Sequence, residues 1–300
     1  MATPESPRIP EPAEGWSPPL PEAAGFEHFT VETPGLRTHV AALGAGEPLV
    51  LLHGFPQHWW QWRTVAPLLA GRYRVICPDL RGAGWTEAET VDVHRETRLH
   101  DLVAVLDTLG LDQIRVVCHD MGVVTGMQLA YGHPERVRAM AQLSVPPAFM
   151  SFSPKVVPAF AHMPRLLMHR PGQSVRWLFS PRYMAKPMTS ETIDAYLVAQ
   201  QRPEVDLATG KLYRGMVVPE AIRLVGGSYR RQRLQPPTLV VFGRRDEPFT
   251  EPVLRQISGD TTRYADHVEF SFLDDASHFL TDDAPEAVAQ VVLDWFERIG

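Results

Sequence analysis

Arg115-Val116-Val117-Cys118-His119-Asp120-Met121-Gly122 decides how this chain is read. Its first half is a short apolar run of the kind found in strands buried on both faces. It passes without a spacer into Met121–Gly132, which reads as a helix. Gly122 stands two places after Asp120, and a small residue there lets the backbone turn tightly from strand into helix. The residue at the apex of such a turn is held up beyond the carboxyl end of the sheet. Here it is a carboxylate, Asp120, which can attack an electrophilic carbon and become an ester.

The same grammar extends outward in both directions. Phe26–Thr33 and Leu36–Leu43 alternate as two antiparallel strands around a Pro34-Gly35 turn. Pro48–His53, Arg74–Pro78, Ile114–His119 and Val137–Val145 read as buried strands, separated by helices at about Trp60–Ala70, His94–Leu109 and Met121–Gly132. Alternation at this pace predicts an α/β fold with a mostly parallel, doubly wound sheet. The rhythm breaks at Pro146-Pro147 and resumes at Pro236-Pro237, with strands Thr238–Phe242 and Val268–Leu273 and helices Glu251–Ile257 and Pro285–Ile299. Residues 147–235 therefore read as a helical lid inserted after the sixth strand, with 25–146 and 236–300 forming the core. Residues 1–24, rich in proline and without an apolar stretch, read as a flexible tail and not as a secretion signal.

Bulk composition narrows the classes. The chain has 300 residues, of which 44% are hydrophobic and 21% charged, enough for a large core and too few charges for disorder. A net charge of −6 with both signs dispersed leaves no basic stripe for nucleic acid. No apolar run reaches the roughly 18 residues of a membrane span. The two cysteines, Cys77 and Cys118, fall in core strands and read as small packed hydrophobes. That suits a reducing compartment, so a cytoplasmic location is expected. A homo-oligomer is neither indicated nor excluded.

Three residues complete a candidate site. Asp246 ends the strand Val240-Val241-Phe242-Gly243, and His278 lies in the loop after the last strand. Both, like Asp120, sit beyond carboxyl ends of strands, where parallel sheets gather their functional groups. Each has a plainer reading: Asp120 as a helix cap, Asp246 as a loop acid paired with Arg244 or Arg245, and His278 as one surface histidine among 12. Asp274 and Asp275 compete with Asp246 for the imidazole, but they precede it on its own loop. Backbone N–H groups of Phe55, in His53-Gly54-Phe55-Pro56, and of Met121 are the candidate donors to a developing oxyanion. No metal-ligand spacing such as HExxH occurs, and no cofactor is expected.

His53-Gly54-Phe55-Pro56-Gln57-His58-Trp59-Trp60-Gln61-Trp62-Arg63, Asp79-Leu80-Arg81-Gly82-Ala83-Gly84-Trp85-Thr86 and His119-Asp120-Met121-Gly122 together resemble the epoxide hydrolase branch of the α/β-hydrolase family. The resemblance runs from about Phe26 to the end and is weakest in the lid. It implies the α/β-hydrolase fold, a nucleophilic Asp120, a charge-relay pair of Asp246 and His278, and oxyanion donors at Phe55 and Met121. It also implies lid tyrosines that donate to the epoxide oxygen. Leu212-Tyr213-Arg214 is similar to the family's lid motif, and its spacing to Asp246 favours Tyr213 over Tyr229. A second lid tyrosine is expected in Phe160–Gly172, where His162 and His169 stand instead as candidate donors.

The expected reaction is hydrolysis of an epoxide to a vicinal diol, with a small apolar or amphipathic substrate and water as the only partners. A dehalogenase using the same aspartate is the alternative. Its halide-binding Trp after the nucleophile and Asn in the HGxP turn are replaced by Met121 and Phe55, and the arginines of fluoroacetate-type members by Met121 and Val124. A ligand-binding protein that reuses the fold would have no need of Asp120, Asp246 and His278 together. Met150, Phe152, Met163, Leu167, Met168 and Trp177 give the lid an apolar face that either packs internally or meets the ligand.

Overall fold

The computed structural model describes residues 17–300. Within them, nine strands form one sheet: β1 (Glu27–Thr33), β2 (Leu36–Leu43), β3 (Glu47–Leu52), β4 (Tyr73–Pro78), β5 (Glu87–Ala88), β6 (Ile114–His119), β7 (Val137–Leu143), β8 (Thr238–Gly243) and β9 (Val268–Leu273). Their order is β1-β2-β4-β3-β6-β7-β8-β9, with β5 on the side of β2. The pairs β1–β2, β2–β4 and β2–β5 are antiparallel; all pairs from β4 to β9 are parallel.

The continuous apolar runs arise because both faces of the sheet are covered. On one face Leu49, Leu51, Val75 and Val117 pack with Trp59, Trp62, Val292 and Trp295. On the other, Val50, Leu52, Ile76, Val116 and Cys118 pack with Leu102, Leu106, Val123 and Met127. Successive residues of one strand point to opposite faces, so each must be apolar. Cys77 and Cys118 are buried free thiols within these layers.

Three local differences from the sequence reading have physical causes. The helix expected at Trp60–Ala70 is two short pieces, a 3₁₀ turn at Trp59–Trp62 and a helix at Ala66–Leu69. Trp59 and Trp62 are three apart and both fully buried, which the three-residue period of a 3₁₀ turn allows. Strand β5 is only two residues long, too short for a pattern to reveal, and it makes the insertion follow the seventh strand by count. Of the expected tail, residues 1–16 lie outside the described residues. The rest is held: the indole N–H of Trp85 donates to Pro18 O at 2.7 Å and that of Trp60 to Glu22 O at 2.9 Å.

Between β7 and β8 the chain forms short helices and turns, among them Met163–Leu167, Ser190–Leu197, Pro203–Leu212 and Val218–Val225. A π-helical turn, Tyr213–Val217, joins the last two. This segment is tied to the core at separate points. Arg95 Nε donates to Glu220 at 2.9 Å and Arg202 Nη1 to Gly84 O at 2.9 Å. The Asp283 carboxylate accepts from the backbone N–H groups of Ala185 and Lys186 and also from Ser277 N–H. No helix among the described residues is long and apolar enough to cross a membrane.

Candidate active site

Asp120 sits between the end of β6 and the helix Met121–Gly132 with φ 46° and ψ −118°. A non-glycine residue held in such a region costs on the order of 1–3 kcal/mol and persists only where its surroundings fix it. Here the surroundings are close. A Cβ on Gly54 would lie 2.7 Å from the Asp120 Cβ, and one on Gly122 would lie 2.4 Å from Leu52 O. The glycines thus let the β3 loop and the helix close on the turn from two sides.

The β3 loop is oriented by its own motif. His53 Nδ1 donates to Gly54 O at 2.9 Å, which leaves Nε2 to accept Leu80 N–H at 3.0 Å; Gly54 N–H donates to Gln61 Oε1 at 3.0 Å. Phe55 N–H is thereby aimed at Asp120 Oδ1, 2.8 Å away. Met121 is the first residue of its helix, so its N–H is one of those without an intrahelical acceptor. Asp79 supports the same loop from below, accepting from Trp59 N–H, Trp85 N–H and His39 Nδ1 at 2.7, 2.9 and 2.7 Å.

His278 bridges the two carboxylates. Its Nε2 is 3.5 Å from Asp120 Oδ2 and its Nδ1 is 3.4 Å from Asp246 Oδ2. Its carbonyl accepts from His119 Nε2 and Ser144 Oγ, each at 2.8 Å, which fixes the loop against β6 and β7. The other acids of that loop point elsewhere: Asp274 pairs with Arg244 and Asp275 with Arg245, both exposed. Burial opposes charge on His278, yet Asp246 and Asp120 outweigh it and push its pKa up to about 10. Burial likewise opposes ionisation of Asp120, but the hydrogen bond and charge of His278 hold its carboxyl far below the usual range.

A cavity of about 160 Å³ opens above this group, lined by Asp120, Met121, Phe55 and His278 from the core and by Phe160, His162, Met163, Tyr183 and Tyr213 from the inserted segment. Tyr213 is buried, its ring edge-on to Phe55 with centroids 5.6 Å apart. Burial first, then the charge of Asp120, raises its pKa well above normal. His162 lies beside it, with ring centroids 6.0 Å apart, and burial lowers its pKa. His169 does not line the cavity; its Nε2 is 2.7 Å from Asp206. Tyr229 is also elsewhere, hydrogen-bonded to Glu220 and Arg95.

Of the apolar residues of the inserted segment, Met150 and Met163 reach the cavity, Leu167 and Trp177 pack against its neighbouring helices, and Phe152 and Met168 are exposed. Sequence reasoning missed Tyr183. It belongs to no regular element, and it reaches the cavity because Phe279 N–H donates to its carbonyl at 3.2 Å. Ser144, at φ 60°, was missed as well; only its place at the end of β7 signals it. Among the described residues no group of three His, Cys, Asp or Glu side chains is arranged to hold a metal ion.

Residues 47–285 match the model of the alpha/beta hydrolase fold family. The chain is 28% identical over 284 residues to the soluble epoxide hydrolase of Corynebacterium sp. (strain C12), covering 90% of this chain and 96% of that protein. It is 42% identical to epoxide hydrolase 2 of Siraitia grosvenorii, but over 124 residues only, 40% of this chain and 39% of the relative. A solved Pseudomonas aeruginosa protein described as a candidate epoxide hydrolase superposes with a TM-score of 0.75 at 30% identity, covering 93% of this chain and 98% of the other. The nine-stranded sheet, the sharp turn at Asp120 and these similarities lead to one conclusion: the chain belongs to the α/β-hydrolase family, in its epoxide hydrolase branch.

Proposed function

We propose that this protein hydrolyses an epoxide to a vicinal diol through an ester on Asp120, with residues 147–235 serving as the lid. The observation that carries the reading is the division of labour at Asp120. One oxygen, Oδ1, is taken by Phe55 N–H, and the other, Oδ2, lies against His278 below the cavity. Oδ2 attacks a ring carbon, the ring C–O bond breaks, and the oxygen takes a proton from the Tyr213 hydroxyl. Tyr183 or His162, on the same cavity wall, is the second donor.

The ester removes one of the two negative charges that keep His278 protonated, leaving only that of Asp246. The imidazolium then returns a proton to the tyrosinate and becomes a general base, still oriented by Asp246. Water, losing a proton to His278, adds to the ester carbonyl. The resulting anion forms on Oδ1, where Phe55 and Met121 N–H groups receive it. On its collapse the acyl C–Oδ2 bond breaks, the leaving diol oxygen takes the proton held by His278, and the new Asp120 carboxylic acid gives its proton back to the imidazole. The cavity wall carries Asp120, Glu220, Asp246 and Glu247 but no Lys or Arg. A neutral epoxide fits this wall, whereas an anionic haloacid would face four carboxylates with the His278 imidazolium as its one counter-charge among the described residues.

His278→Gln tests the scheme. The ester should form and not be hydrolysed, so intact-protein mass spectrometry after incubation with styrene oxide should show one added substrate mass, located on Asp120. An adduct elsewhere, or turnover at the wild-type rate, overturns the reading.

A further inference from the structure

A second and much smaller cavity shares Phe55 and Met121 with the main one and is lined further by Gly54, Gln57 and Arg98. Arg98 is its only charged lining residue. It comes from the first turn of the helix Arg95–Thr108 and is 3% exposed. Its Nη2 donates to Arg81 O at 2.9 Å, and its buried Nε has no hydrogen-bond partner. Among the described residues it forms no ion pair: of the two acids nearest in sequence, Glu96 is taken by Arg95 at 2.8 Å and Asp101 by Arg81 at 2.6 Å. A buried cation without a partner is expensive, and replacing it with an apolar side chain would ordinarily stabilise the fold. Its retention at this place needs a reason.

We infer that Arg98 is an electrostatic positioning residue for the second half of the reaction, placing positive potential behind the Phe55 and Met121 N–H groups where the tetrahedral oxyanion forms. The inference rests on the proposed ester at Asp120. The sign of the effect differs between the two steps. In the free protein Arg98 stabilises the Asp120 carboxylate, so it does not assist attack on the epoxide. Once the ester exists, the same charge favours the anion on Oδ1 and favours the neutral form of His278. The other groups that face this imidazole are Asp246, His119, His162 and Tyr183; the first favours its protonated form. Around Arg98 itself stand Arg81, Asp101 and a neutral His53.

The test uses Arg98→Gln and Arg98→Met, which remove the charge, and Arg98→Lys, which keeps it, all checked for folding by circular dichroism. Single-turnover kinetics with styrene oxide resolve ester formation from ester hydrolysis. The neutral variants should form the ester no more slowly than wild type and hydrolyse it about tenfold more slowly, a smaller loss than the roughly 10²–10³-fold that follows removal of a direct oxyanion donor, because Arg98 acts from behind the N–H groups. The acid limb of kcat, set by protonation of His278 in the ester, should move to higher pH in the neutral variants and stay in place in Arg98→Lys. A merely structural arginine would slow both steps and leave the limb unmoved. Unchanged hydrolysis in a folded neutral variant, equal defects in Arg98→Lys, or failure of both neutral variants to fold each overturn the inference. Absence of any ester in the wild-type protein overturns the proposed function instead.

Discussion

At the scale of single residues, the site is a set of charges balanced only while Asp120 is free. Tyr213 stands outside that balance: burial and the nearby carboxylate keep its hydroxyl protonated, so it remains a donor across the neutral range. The leaving oxygen of an opened epoxide is a strong base, and a placed acid of this kind is worth about 10²–10⁴-fold. Tyr213→Phe should therefore slow ester formation by at least about tenfold, a second donor absorbing part of the loss, with less effect on ester hydrolysis. Equal single-turnover alkylation rates in variant and wild type would remove Tyr213 from the scheme. Asp120 and His278 were legible in the sequence because strand-to-helix turns and post-strand loops have a grammar of their own. Tyr183 was not, since its place depends on a backbone hydrogen bond to residue 279, nearly a hundred positions away. His169 illustrates the converse: its spacing offered it to the cavity, but Asp206 holds it away.

At the scale of elements, strands were the legible part. β6 is buried on both faces and falls on the apolar run Ile114–His119, whereas β9, a half-buried edge strand, falls on the alternating stretch Val268–Leu273. The inserted segment was legible as an interruption but not in detail. Its turns are short, several start at proline, and their ends are set by contacts with the core and not by a long hydrophobic period. Glycine spacing at the turn carries a sharper consequence. A methyl group on Gly122 would enter the contact with Leu52 O, whereas one on Gly132, at the far end of the same helix, would meet only Leu99 at 3.9 Å. Gly122→Ala should lose about 1–3 kcal/mol of unfolding free energy in urea titrations. Gly132→Ala should stay within about 0.5 kcal/mol of wild type. Similar losses in both would mean that helix position, not the close approach to β3, governs tolerance.

At the scale of the whole molecule, the charge balance becomes a pH dependence of stability. The pKa of His278 rises from an ordinary 6.5 to about 10 on folding, so its stabilising contribution is full below pH 6.5 and is lost as pH climbs through about 10. Asp120 is displaced in the opposite direction, so its contribution holds above its ordinary 3.8 and fades as pH falls through its depressed folded value. Urea midpoints measured from pH 6 to pH 10 should fall more steeply for wild type than for His278→Gln. Parallel curves would show that the imidazole is not held charged. The ties of the inserted segment to the core have a different reach. Arg95, Arg202 and Asp283 fasten it at Glu220, at Gly84 and beside the His278 loop. The stretch from Ala159 to Leu167, which gives Phe160, His162 and Met163 to the cavity wall, makes no hydrogen bond to the core among the described residues. Further ties run from Arg63 to Tyr196, from His58 to Ala195 O and from Lys155 to Gln256, so the roof is fastened along most of its rim and bare at this stretch. Under the proposed function an epoxide would enter at that bare edge, and His162 would be the first ring it meets there.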